Sequence, residues 1–142
     1  MVQESIFLPF LAMGLLTFIV LGMIPQRRFA AAARKEVTAD DFALGESPSV
    51  PAHVSLPNRN YMNLLEVPTL FYAVCLALYV TDLVSGLTLG LAWAYVAGRT
   101  LHSLVHVTYN KVIHRLALFA VSNVVLMALW VVFAMKVWPA AS

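Results

Sequence analysis

The chain has 142 residues, of which 61% are hydrophobic and 11% are charged, and its mean hydropathy is +0.83. Soluble domains typically carry about 25% charged residues, so this composition excludes an ordinary soluble domain and predicts a membrane protein. The net charge of +2 is too small and too dispersed to indicate a nucleic-acid-binding protein. A single cysteine, Cys75, excludes an internal disulfide.

Four apolar segments predict an all-α bundle of four transmembrane helices in one domain, residues 1–142. A membrane-spanning helix needs about 20 predominantly apolar residues. The segments that meet this requirement are residues 6–24, 61–80, 87–107 and 116–137. The first has no basic residues before it and no Ala-x-Ala cleavage site after it, so we interpret it as an uncleaved span rather than a signal peptide.

The connections are mostly polar and differ in length. Residues 25–60 are predicted to form a surface loop, with Ala30 to Ala33 extending the first helix by a turn or two. Pro68 should kink the second span, because proline lacks a backbone N–H. In the third span Gly86, Gly90, Ala94 and Gly98 recur every four residues, which is typical of closely packed membrane helices.

Basic residues concentrate on the first and third connections and their flanks. They are Arg27, Arg28, Arg34, Lys35 and Arg59 around the first, and Lys111 and Arg115 in the third. The remaining connection and the two termini hold only Lys136. Because positive charge is enriched in cytoplasmic loops, the first and third connections, including the loop 25–60, are predicted to be cytoplasmic and both termini non-cytoplasmic.

Two groups of ionisable residues lie where hydrocarbon would be expected. Arg59, Asn63 and Glu66 follow i, i+4, i+7 spacing at the start of the second span, so on a helix they share one face. A charge within a bilayer costs roughly 2.5–3.5 kcal/mol on the mildest scale, so such residues are rarely incidental. The topology brings this face to the same depth as the cytoplasmic half of the third span.

That half of the third span carries its own polar face, with Tyr95, Arg99, His102 and His106 at i, i+4, i+7 and i+11. Three interpretations are open. Glu66 could pair with Arg59 or Arg99 and tie the helices together. The two faces could instead form a pocket for a small zwitterionic or anionic ligand. The i, i+4 histidines could also bind a metal or face a haem, although two histidines alone are a weak signal.

The motifs of spans two and three resemble those of the MAPEG family, the membrane-associated proteins in eicosanoid and glutathione metabolism. The first is Arg-x-x-x-Asn-x-x-Glu-x-Pro-x-x-Phe, from Arg59 to Phe71. The second is Gly-Arg-Thr-Leu-His-Ser-Leu-Val-His, from Gly98 to His106, followed downstream by Arg115. The resemblance covers nearly the whole chain and is nearest to the bacterial branch similar to microsomal glutathione transferases.

The resemblance implies a homotrimer of four-helix subunits in the lipid bilayer, with glutathione as co-substrate bound between neighbours near the cytoplasmic face and no metal. It implies that Arg115 stabilises the glutathione thiolate, since a nearby cation lowers the pKa of a thiol. A small lipophilic electrophile would enter from the lipid. The residues implied to bind glutathione are Arg27, Arg28, Arg59, Asn63, Glu66, Arg99, His102 and His106.

The leading hypothesis is therefore a glutathione-dependent membrane transferase or peroxidase. The alternative is a non-catalytic protein of the same fold, acting as a structural, lipid-binding or accessory subunit of a larger membrane complex. Activity that is insensitive to Arg115→Ala, together with co-purification of a larger partner, would favour the alternative.

Overall fold

The computed structural model describes residues 2–138, and its regular elements are all helical. The α-helices are α1 (Phe7–Ala33), α2 (Ala52–Leu65), α3 (Pro68–Val80), α4 (Gly86–Val107) and α5 (Val112–Val137). Short 3₁₀ helices form at Gln3–Ile6 and Ala39–Phe42. The predicted all-α fold is confirmed for these residues.

Three helical stretches are long and apolar enough to cross a membrane: Gln3–Ala33, Ala52–Val80 and Val112–Val137. The fourth predicted span, now α4, is not one of them, because Arg99, His102 and His106 lower its apolar character. All three of these side chains are buried within the protein. A polar side chain in a membrane bundle is tolerated where it faces protein rather than lipid, and α4 buries these three side chains while packing against α1, α2 and α5.

The segment expected to be a loop at 25–60 is helical at both ends. α1 continues beyond residue 24 to Ala33, and α2 begins at Ala52. A hydropathy window detects only the part of a helix that lies in lipid. Alanine, glutamine and arginine are good helix formers in water as well, so the helix can continue beyond the apolar segment. The irregular part is thus confined to residues 34–51, apart from the short 3₁₀ helix.

The second predicted span is two helices rather than one kinked helix. α2 ends at Leu65, Glu66 leaves the helical conformation with φ −81° and ψ −92°, and α3 begins at Pro68. Proline cannot donate the hydrogen bond that a continuous helix would require, and its ring would clash with the preceding turn. Thr69 Oγ1 donates to the Glu66 carbonyl at 2.6 Å, which satisfies one acceptor at the break.

The apolar core lies between α1, α3, α4 and α5. The core contains buried residues such as Met13 of α1, Phe71 and Leu78 of α3, and Leu129 of α5. The Phe71 ring stacks on the Tyr95 ring of α4 with 4.8 Å between centroids. α4 packs most extensively on α5. A Cβ at Gly98 would lie 3.1 Å from the Ser122 Cβ, whereas at Gly90 it would meet nothing within 4 Å. Of these two glycines, which belong to the small residues recurring every four positions, only Gly98 lies at a close helix contact.

Candidate functional site

A cleft of about 520 Å³ opens between α2, α4 and α5. Its lining residues are Asn58, Arg59, Met62, Asn63, His102, His106, Val112, Arg115, Leu116 and Phe119. The polar members come from all three helices, and the apolar members come mainly from the first two turns of α5. A cleft with a polar side and an apolar side is suited to an amphipathic ligand or to one polar and one apolar ligand together.

Five of the nine predicted site residues line this cleft: Arg59, Asn63, His102, His106 and Arg115. Arg59 and Asn63 lie one turn apart on α2, where the Asn63 side-chain amide donates to the Arg59 carbonyl at 3.0 Å. The predicted convergence of groups from the second and third spans therefore occurs in the structure. α5 supplies Arg115.

The Arg115 guanidinium is held in place by the turn between α4 and α5. Its Nη1 donates to Asn110 Oδ1 at 2.7 Å, and Asn110 adopts a left-handed backbone conformation with φ +46°. Asparagine tolerates this conformation better than most residues. Sequence reasoning did not single out Asn110; its position in a short turn before Arg115 was the available signal.

The two histidines of α4 are almost fully buried, each with 2% of its surface exposed. His102 Nδ1 donates to the backbone carbonyl of Arg115 at 3.0 Å, since a carbonyl can only accept. The His102 ring lies 5.6 Å from the His106 ring and 5.7 Å from the Phe119 ring, centroid to centroid. The histidines thus form one wall of the cleft, and the hydrogen bond from His102 fixes this wall to the α5 backbone.

Arg99 lies behind the cleft wall. Its side chain is fully buried, its Nη2 donates to the Asn63 carbonyl at 2.8 Å, and its guanidinium carbon is 5.5 Å from the centroid of the Phe119 ring. It therefore contacts two lining residues without lining the cleft itself. The alternative of a Glu66–Arg99 or Glu66–Arg59 pair is wrong for the protomer, because the ion pairs of residues 2–138 are Arg28–Glu46, Arg34–Glu36 and His53–Glu36.

Arg27, Arg28 and Glu66 are not brought to this cleft. Arg28 pairs with Glu46 at 3.1 Å and lies over the Phe42 ring at 4.3 Å, on a separate and mainly apolar cleft of about 500 Å³ beside α1. Arg27 is half-buried on α1. Glu66 is exposed at the break between α2 and α3; its backbone N–H still donates to the Met62 carbonyl, but its side chain is not among those that line the cleft.

The cleft is cationic. Arg59 and Arg115 line it, Arg99 lies directly behind it, and no carboxylate is among its lining residues. Guanidinium groups bind carboxylates and other oxyanions with paired hydrogen bonds. Across residues 2–138, no three histidine, cysteine or acidic side chains come together in a group that could hold a metal ion. The arrangement therefore favours an anionic organic ligand.

Comparison with known proteins gave one result. Neither the curated proteins nor the solved structures contain a significant match. The MAPEG family model matches residues 6–135, a range that includes every residue that lines the cleft. With that match across most of its length, and with helices long and apolar enough to cross a membrane, the chain belongs to the MAPEG family.

Proposed function

We propose that the protein is a glutathione-dependent integral membrane transferase or peroxidase that acts on lipophilic electrophiles. The observation that carries the proposal is the Arg115 guanidinium, held by Asn110 in a cleft that is cationic on one side and apolar on the other. Glutathione is an anionic tripeptide with a thiol, so it matches the polar side. The family match supports a membrane protein of this class without defining its activity.

In the proposed mechanism, Arg59 and Asn63 bind the peptide and carboxylate groups of glutathione. Arg115 stabilises the thiolate, because a cation beside a thiol lowers its pKa and raises the reactive fraction near neutral pH. The electrophile binds against Val112, Leu116 and Phe119, which it reaches from the lipid. Arg99 acts from behind the wall, holding the Asn63 backbone and the Phe119 ring in place.

We propose further that the working unit is a homotrimer with the site between neighbouring subunits. The support is that Glu66 is exposed on the protomer without an ionic partner among residues 2–138, as a residue reserved for a neighbour's ligand would be. Arg27 and Arg28 would reach the site from the adjacent copy, Arg28 by exchanging Glu46 for a carboxylate of glutathione. Glu66 would then bind the amine of glutathione, and the basic residues its carboxylates.

Conjugation of glutathione to a halo-aromatic electrophile tests the catalytic assignment. Arg115→Ala should lower kcat/KM by about 10²–10³-fold, the usual loss when one preorganised charge-stabilising group is removed. Arg34→Ala is the matched control, because Arg34 is exposed and pairs with Glu36 outside the cleft. Wild-type protein whose thermal stability is unchanged by saturating glutathione would refute the proposal.

Subunit mixing tests the trimeric site. Glu66→Gln and Arg115→Ala chains should each be inactive alone, but co-expression should restore activity, because some interfaces then combine a wild-type Glu66 with a wild-type Arg115. Native mass spectrometry of the purified protein should give three chains per particle. If the mixture stays inactive while trimers form, the two residues do not serve a shared site.

The second candidate function is a non-catalytic subunit of a larger membrane complex. It is favoured by one observation, namely that Arg28 is already neutralised by Glu46 and covered by Phe42 instead of lining the cationic cleft. Under this function Arg115→Ala would change no activity, and mild solubilisation would recover the protein with a larger partner.

A further inference from the structure

The hydrogen bond between His102 and Arg115 determines which nitrogen of the His102 ring can accept a proton. A neutral imidazole carries one proton, and its position is set by the bond that the ring makes. Here Nδ1 faces the Arg115 carbonyl at 3.0 Å, and a carbonyl has no hydrogen to donate. The proton is therefore on Nδ1, and Nε2 has a free lone pair.

That lone pair has no hydrogen-bond partner among residues 2–138, although the nitrogen is buried. Most buried polar atoms in folded proteins are paired with protein, ordered water or a ligand, so an unpaired acceptor in a cleft wall requires an explanation. His102 lines the cleft, and so does Arg115, the same residue whose carbonyl orients the ring. A proton acceptor and a cation thus come from contacting residues in one site.

We propose that His102 Nε2 accepts the thiol proton of the bound thiol substrate while the Arg115 guanidinium stabilises the resulting thiolate. This inference rests on the proposed function. The S–H bond breaks, its proton moves to Nε2, and its electron pair remains on sulfur. The thiolate then forms an S–C bond with the electrophile, the leaving group departs with the electron pair of its own bond, and the imidazolium proton passes to that group or to water.

The cations around the ring stabilise the thiolate but disfavour an imidazolium, so the proton moves to Nε2 as the adjacent thiolate forms and supplies the counter-charge. The ionisable groups near His102 are Arg99 and His106 on its own helix, Arg59 on α2 and Arg115 on α5. None is a carboxylate and the arginines are already protonated, so His106 is the one other group among these that could accept the thiol proton. His106, which packs edge-on against His102, has both ring nitrogens unpaired within residues 2–138 and is not fixed in one tautomer.

Proton counting on the wild-type protein tests the proposal directly. Glutathione is titrated into the detergent-solubilised protein by calorimetry in buffers of different ionisation enthalpy, while thiolate formation is followed by ultraviolet absorbance. S-methylglutathione, which has no thiol proton, supplies the baseline. We expect thiolate to form with almost no additional proton released to buffer, since the proton stays on His102.

Each other outcome has a distinct meaning. Release of one proton per thiolate would overturn the role of His102 and leave the proposed transferase intact. Binding without thiolate formation would overturn it as well. Absence of glutathione binding would instead refute the proposed function itself.

His102→Asn provides the kinetic test. The asparagine amide can still donate to the Arg115 carbonyl, but nothing replaces the Nε2 acceptor. We expect roughly 10²-fold lower kcat/KM near neutral pH, within the usual range for loss of a general base, with the glutathione-induced thermal shift retained. The deficit should shrink as the pH rises towards about 8.5, where a free thiol ionises unaided. A deficit that is constant with pH, or absent, would contradict the proposal.

His53→Asn is the matched control. His53 is an exposed histidine that contacts Glu36, and it is not among the residues that line the cleft. The variant should leave both the rate and its pH dependence unchanged, so any general effect of losing a histidine is measured separately.

Discussion

Arg115 contributes two different groups to the cleft. Its guanidinium donates a hydrogen bond to Asn110, and its backbone carbonyl accepts a hydrogen bond from His102 Nδ1. Both groups belong to the first turn of α5, so a movement of that turn displaces the cation and releases the histidine together. A substitution at position 115 therefore removes the cation but leaves the carbonyl that orients His102.

Asp41 organises the segment between α1 and α2. Its carboxylate accepts hydrogen bonds from the Thr38 backbone N–H at 2.8 Å, the Ser49 hydroxyl at 2.9 Å and the Thr38 hydroxyl at 3.0 Å. These bonds, that of the Thr38 N–H first, favour the ionised form and hold the pKa of Asp41 below its ordinary value of 3.8.

Asp41→Ala should loosen residues 34–51 at neutral pH, which hydrogen exchange would record as faster amide exchange in this segment. Because the pKa of Asp41 is lower in the folded state, its stabilisation is complete above pH 3.8 and is lost as the pH falls through the native pKa. The difference between wild type and variant should vanish over that acidic range.

The exposed neighbour Asp40 is the matched control, since its side chain takes no part in the bonds described for Asp41. Asp40→Ala should exchange as the wild type does. If both variants loosen the segment equally, the hydrogen bonds of Asp41 are not what orders it.

At the scale of elements, α4 is the helix to which the rest of the site is attached. Arg99 reaches the α2 backbone, Ser103 Oγ donates to Asn60 Oδ1 on α2 at 3.3 Å, and His102 reaches α5. At the other end of the bundle, Lys136 Nζ donates to the Leu83 carbonyl and to Ser85 Oγ at the start of α4. Polar side chains buried in this way cost less than side chains facing lipid, because they have protein partners.

The contact of α4 with α5 depends on Gly98. Gly98→Leu should push the helices apart, because a Cβ alone would already approach Ser122 Cβ to 3.1 Å. Overpacking of this kind typically costs about 1–3 kcal/mol. We expect a lower thermal unfolding temperature and weaker glutathione binding, since Arg115 moves with α5.

Gly90→Leu adds the same side chain to the same helix where a Cβ meets nothing within 4 Å. It should therefore unfold near the wild-type temperature. Equal destabilisation by the two variants would show that helix propensity or lipid contacts, rather than the contact with Ser122, determine the effect.

At the scale of the whole molecule, the distribution of basic residues predicts the orientation in the membrane. Leu44 lies fully exposed between α1 and α2, and Val2 is exposed near the N-terminus. With Leu44→Cys and Val2→Cys, a membrane-impermeant maleimide should label position 44 only from the cytoplasmic side and position 2 only from the opposite side. The reverse pattern would invert the predicted topology.

The native Cys75 is fully buried, so the unmodified chain measures the background labelling. Solubilised samples of both variants should label completely, which confirms that each introduced thiol is reactive once the membrane no longer blocks the reagent.

Much of the site was predictable from local patterns. The i, i+4, i+7 spacing placed Arg59 with Asn63, and Arg99 with His102 and His106, because helical periodicity is a short-range property. The same reasoning did not place Glu66 in the cleft: this residue stands where α2 ends, ahead of Pro68, and its exposed side chain is not among the lining residues. It also missed Asn110, whose role depends on a turn conformation and not on hydropathy.

The membrane environment, the helical class and the MAPEG family could all be predicted from the order of residues alone, because hydropathy, periodicity and motif spacing depend on neighbours along the chain. Only the tertiary structure decided that Arg28 pairs with Glu46, that Arg99 lies behind the cleft and that Arg115 orients His102. These contacts join separate segments of the chain, so they follow from how the helices pack and from which buried polar atoms find partners there.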